Sequence, residues 1–85
     1  MDERLATEIR DVIRGHARLS VDVDSLGDHA DLFQAGMSSH SSVNLMLGLE
    51  EAFDVEFPDR MLRRSVFENV AGIAAAISEI RGLDA

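Results

Sequence analysis

Four serines, Ser38, Ser39, Ser41 and Ser42, crowd the stretch GMSSHSS at residues 36 to 42. It lies between Asp31-Leu32-Phe33 and the apolar run VNLMLGLEEAF at residues 43 to 53. A serine at a helix entrance is exposed, carries a modifiable hydroxyl and faces the positive end of the helix macrodipole. That setting suits a covalently held phosphate diester. Taken without their surroundings, all four serines are accounted for as helix capping and solvation, because a polar cluster before an apolar helix commonly marks only a helix start.

Other arrangements of reactive side chains are poorer. Asp22, Asp24 and Gly27 imitate the start of a calcium loop, but counting from Asp22 puts Leu26 at the fifth position and Phe33 at the twelfth, where oxygen ligands are required. Ser39 beside His40 does not make a hydrolase: neighbours on a helix point about 100 degrees apart, and no third group or oxyanion hole is encoded. His16, His29 and His40 have no metal-ligand spacing, so no metal is expected. No catalytic residue is assigned.

The elements that must position the serines read as helices. Leu5, Ile9, Val12 and Ile13 recur at spacings of three and four and predict a first helix over residues 3 to 15, with Gly15 weakening its end. From His16 to Ala35 the period dissolves into a long connection anchored by Leu26, Leu32 and Phe33, and a loop of that length usually serves function. A second helix spans 39 to 53, and Pro58 forces an extended exit after it. Arg60 to Glu68 holds a short helical turn or two. Val70, Ile73, Ile77 and Ile80 mark a last helix that Gly82 ends. The expectation is an all-α, four-helix bundle of three principal helices and a short one, forming a single domain over residues 1 to 85.

The second helix has more apolar residues than one stripe can use. Leu45, Leu49 and Phe53 fall at i, i+4 and i+8 on the core face, whereas Val43 and Leu47 lie roughly 100 to 200 degrees away. Either they pack beneath the long loop or they face a partner. Gly48 in mid-helix costs about 1 kcal/mol relative to alanine, so it permits close approach of another helix or is a tolerated accident.

Composition narrows the function. A chain of 85 residues has a modest core and little scope for a deep, water-excluding active site, which disfavours an enzyme. Sixteen acidic against 8 basic residues give a net charge of -8, which repels nucleic acid and anionic membranes and attracts basic protein partners. Arg60, Arg63 and Arg64 form the one basic cluster, suited to a carboxylate on a partner. There is no cysteine, hence no disulfide and no thiol of the chain's own. The start MDERLATEIR lacks the basic, apolar pattern of a signal peptide, and a soluble cytoplasmic protein is expected.

The order Asp31-Leu32-Phe33, then GMSSH, then SVNLMLGLEEAFDVEFPD resembles the acyl carrier protein family, whose signature is a G-x-D-S-L box opening a helix that ends in L-E-E-x-F. Gly36 matches the glycine and Ser39 the attachment serine. The resemblance implies that a phosphopantetheinyl transferase moves the arm of coenzyme A onto Ser39 and that the 4'-phosphopantetheine thiol carries a thioester. Ser38 stands where the family usually has aspartate, removing a carboxylate that in relatives lies beside the transferase's magnesium. His40 stands where the family usually has leucine, replacing an apolar side chain with a polar imidazole.

Within the family the chain looks most like stand-alone aminoacyl carrier proteins, served by amino acid:[carrier protein] ligases that resemble truncated seryl-tRNA synthetases. Such a ligase activates a small amino acid as its adenylate and passes it to the arm's thiol, for delivery to a further acceptor. An aminoacyl load bears an ammonium that is costly to desolvate, so it needs no interior cargo pocket. His40, Val43, Asn44, Leu47, Glu51 and Phe67 are the residues expected to meet a partner. Two other readings remain: a discrete acyl or peptidyl carrier for fatty acid, polyketide or nonribosomal peptide synthesis, and a helical interaction module without a prosthetic group.

Overall fold

The computed structural model describes residues 3–84, so Met1, Asp2 and Ala85 of the expected 1–85 domain lie outside the described residues. Four helices follow one another: α1 (Glu3–His16), α2 (Ser39–Phe53), α3 (Arg64–Phe67) and α4 (Val70–Asp84). Single 3-10 turns at Val23–Ser25 and Asp59–Met61 interrupt the two connections. The all-α bundle with a short third helix is as the periodicity predicted.

The apolar stripes meet in one core. Ile9 and Ile13 of α1, Leu45 and Leu49 of α2, and Ile73 and Ile77 of α4 are fully buried. Their spacing of four puts each pair on one side of its helix, so three stripes exclude water from a common interior. Phe67 of α3 closes one end of it, edge to face against Phe57 with ring centroids 5.2 Å apart.

Two helix ends differ from the expectation. α1 runs one residue past Gly15, and the His16 ring Nδ1 lies 3.1 Å from the Val12 carbonyl oxygen, closing the last turn. α4 does not stop at Gly82 but continues to Asp84. A glycine offers a left-handed stop without compelling one, and open space around Gly82 lets the backbone stay helical.

The long connection is tied down at both sides. Arg10 of α1 donates to the Val23 carbonyl at 2.6 Å and to the Asp28 carboxylate at 2.8 Å. Asp28 and Glu68 carbonyls accept from Ala71 N–H and Leu32 N–H, at 2.9 and 2.7 Å, which fastens the loop to the start of α4. Asn69 caps that helix through its side-chain oxygen, 2.6 Å from Gly72 N–H. α2 ends on Asp54 in the left-handed region (φ 53°, ψ 51°), and the Glu50 carboxylate reaches past it to accept from Phe57 N–H at 2.9 Å. Pro58 then stands in extended geometry, as expected.

Candidate functional site

The turn before α2 is built for one conformation. Asp31 accepts from the N–H groups of Phe33 and Gln34 at 2.9 and 3.4 Å, Leu32 is buried, and the Leu32 carbonyl receives Met37 N–H at 3.0 Å. Gly36 has φ +116°, and a Cβ there would lie 2.8 Å from the Ser20 nitrogen. Ser20 in turn donates both its N–H and its hydroxyl to the Ala35 carbonyl, each at 2.8 Å. The glycine is needed on two counts, its backbone angle and the closeness of a neighbouring strand of chain.

Beyond the turn, the four hydroxyls separate by what they bond. Ser38 is the N-cap of α2: its Oγ accepts from Ser41 N–H at 3.1 Å, and Ser41 Oγ accepts from Ser38 N–H at 2.9 Å, a reciprocal capping box made of two serines. Ser41 is buried by this arrangement. Ser42 donates to the Ser39 carbonyl at 2.7 Å. Ser39 is left as the first residue of α2, exposed, its hydroxyl without a hydrogen-bond partner among the described residues. The N–H groups of Ser39 and His40 are also unpaired among the described residues. A free hydroxyl beside free amides at a positive helix terminus fits an attached phosphate diester.

The residues expected to meet a partner fall into three places. His40, Asn44, Leu47 and Glu51 recur at four, three and four residues, so they form one exposed stripe facing the end of α1. Leu47 is 53% exposed, which answers whether it packs beneath the loop. Gly48 lies at the foot of this stripe, where a Cβ would come 2.8 Å from the His16 ring, so its lack of a side chain serves helix approach. Val43, 51% exposed, lies one turn before Leu47, between this stripe and the groove described below. Phe67 does not stand out as a contact residue: it is 6% exposed and belongs to the core, with only its edge reaching the surface hollow described next.

That hollow had no counterpart in the sequence reading. It is an open groove of about 340 Å³ between α2 and α3, lined mainly by Phe33, Val43, Met46, Leu62 and Phe67, with Ser39 at its edge and Arg63 and Arg64 on its rim. Arg64 lies over the Phe33 ring, 4.1 Å from its centre. The predicted basic cluster is thereby divided, because Arg60 turns away to pair with Glu79 at 3.2 Å. The signal available in the sequence was Met46 and Leu62, apolar residues that the core stripes did not require.

Residues 4–77 match the family described as phosphopantetheine attachment site. An aminoacyl carrier protein of Agrobacterium fabrum is 46% identical over 72 residues, covering 85% of this chain and 87% of the relative. In a crystal structure of an engineered Bradyrhizobium japonicum glycine:[carrier protein] ligase with ATP, the carrier protein from Agrobacterium tumefaciens bound there superimposes with a TM-score of 0.87 at 43% identity. That match covers 89% of this chain and 99% of the other. A solution structure of an Agrobacterium tumefaciens protein matches with a TM-score of 0.75 at 42% identity, over 93% and 95% of the two chains. With a match running from the first helix into the last, and with a serine free at the entrance of α2, the chain belongs to the phosphopantetheine-attachment family of carrier proteins.

Proposed function

We propose that Ser39 bears the 4'-phosphopantetheine arm and that a phosphopantetheinyl transferase installs it. The observation that carries this assignment is the exposed Ser39 hydroxyl, unbonded where its three neighbours are engaged. In the attachment step the Ser39 oxygen forms the new bond to phosphorus, the bond to the departing nucleotide of coenzyme A breaks, and the hydroxyl proton leaves to a base on the transferase. The chain's own part is to fix that oxygen at the helix entrance, with the Ser39 and His40 amides beside the new phosphate charge. Once attached, the arm supplies the thiol that this cysteine-free chain lacks.

The load is an amino acid, joined by an ATP-dependent amino acid:[carrier protein] ligase resembling a truncated seryl-tRNA synthetase and delivered to a downstream acceptor. Similarity to a carrier captured with a glycine:[carrier protein] ligase and ATP supports this partner. Use of ATP and coenzyme A supports a cytoplasmic setting for this work, carried out by a single carrier domain. The groove beside Ser39 is the observation that favours the alternative acyl or peptidyl carrier. Incubation with ligase, ATP and each amino acid separates the two.

Intact mass is the primary test. The wild-type chain gains one phosphopantetheinyl mass with coenzyme A and a competent transferase, and Ser39→Ala gains none while keeping its helical circular dichroism. Modification of Ser39→Ala would refute the assignment, and a wild-type chain that no transferase modifies leaves the interaction-module reading.

A further inference from the structure

A second depression, of about 380 Å³, opens where the end of α1 meets the first turn of α2. His16 and Arg18 line it from one side and Ser38, His40 and Asn44 from the other. No carboxylate among the described residues lines it, although the chain carries 16 acidic residues. The described ion pairs engage Arg10, Arg14 and Arg60, whereas Arg18 is exposed and has no hydrogen-bond, ion-pair or ring partner among the described residues. The Ser38 hydroxyl is committed to the cap, and the His16 Nδ1 to the Val12 carbonyl. Three exposed donors without a described partner are left around one space: the Arg18 guanidinium, a ring N–H of His40 and the Asn44 amide.

A charged planar fork beside two neutral donors matches a carboxylate, which a guanidinium takes through two parallel N–H bonds. Arg18 and Asn44 also border the neighbouring hollow that holds Leu47 and Glu51, so this pocket is continuous with the exposed stripe of α2. Glu51 lies beyond ion-pairing distance of Arg18, eleven residues from His40 and therefore roughly 16 Å along the helix from it. The face thus offers donors at its Ser39 end, an apolar side chain in the middle and an acid at the far end. We propose that the pocket is the seat for a carboxylate side chain of the ligase, held by Arg18, His40 and Asn44, and that this contact turns the Ser39 end of α2 toward the ligase's active site. The net charge of -8 draws a basic partner without choosing its orientation. A single carboxylate seated next to Ser39 fixes the register, because the reversed approach would bring it against Glu51.

This inference rests on the ligase reading given above, and its test keeps the two apart. Mass spectrometry first establishes that the ligase, with ATP, aminoacylates the wild-type chain bearing its arm; if it does not, the ligase reading fails and the pocket assignment with it. Arg18→Gln is then expected to raise the ligase's apparent KM for the carrier about 2–5-fold at level kcat, the effect of losing an exposed ion pair, and Arg18→Glu to raise it further. The Arg18 side chain is bonded to no described residue, so both variants should keep the helical circular dichroism of the wild type. Both also make the chain more negative, which would lower KM if the overall field alone attracted a basic ligase, so a rise identifies a local contact. Arg60→Gln removes the same charge from a side chain paired with Glu79 and serves as the control, with no rise expected. Reversal of one ligase carboxylate to lysine should bring the KM of Arg18→Glu back toward that of the wild type. The proposal is overturned if the Arg18 variants show no higher KM than Arg60→Gln, if only the transferase's KM rises, or if no single carboxylate reversal on the ligase's surface restores Arg18→Glu.

Discussion

At Ser39 a hydroxyl is kept free by its neighbours' commitments, since Ser38 and Ser41 satisfy each other and Ser42 turns to the helix backbone. A cap built from two serines places no negative charge beside the proposed attachment oxygen, unlike the aspartate of the related signature. Gly36 is the other residue on which the site depends. Gly36→Ala is expected to destabilise the fold by about 1–3 kcal/mol, because a side chain is forced into a left-handed backbone and against Ser20. In a domain of this size that lowers the melting temperature by about 4–8 °C per kcal/mol, measured by thermal unfolding. An unchanged melting temperature would mean that the turn relaxes freely.

At the scale of elements, α2 is a three-sided helix. One side enters the core through Leu45, Leu49 and Phe53, one walls the groove through Val43 and Met46, and one presents His40, Asn44, Leu47 and Glu51. The third side is the docking face we expect the ligase to use. Leu47→Ala and Glu51→Lys should each raise the ligase's apparent KM for the carrier with little change in kcat, and unchanged kinetics in both would remove this face from the account. Gly48 tests how α1 and α2 approach. Gly48→Ala should stabilise by about 1 kcal/mol in a His16→Ala background, where helix propensity acts alone, and by less when the imidazole is present. Equal effects in the two backgrounds would show that the ring contact has no energetic weight.

For the molecule as a whole, charge sets the approach of partners. A net charge of -8 attracts a basic partner over about a Debye length, roughly 10 Å at 0.1 M salt. The ligase's kcat/KM for the carrier should therefore fall as salt rises while kcat stays level, and a flat salt profile would exclude steering by the global field. The long connection belongs to this scale as well. Arg10, Leu32 and Ala71 bind it to α1 and α4, so that a stretch with little regular structure becomes the platform on which the α2 entrance rests. None of the described helices is long and apolar enough to cross a membrane.

Much of this was legible along the chain, because helical periodicity is a local property. Spacings of three and four gave α1, α2 and α4, and the match of GMSSH to the family signature singled out Ser39 at the start of its helix, while the reciprocal cap of Ser38 and Ser41 came only with the structure. Gly82 misled because a stop signal permits an ending that tertiary context need not use. The burial of Phe67, the ring of His16 over Gly48 and the parting of Arg60 from Arg63 and Arg64 depend on which helices become neighbours. Sequence determined the elements and singled out Ser39 as the proposed attachment residue, since helical spacing and the GMSSH signature both involve residues within a few turns of one another. Only the seating of α3 on α4, which sets it across from α2, made a groove beside that oxygen, because a concavity belongs to two surfaces and neither carries it alone.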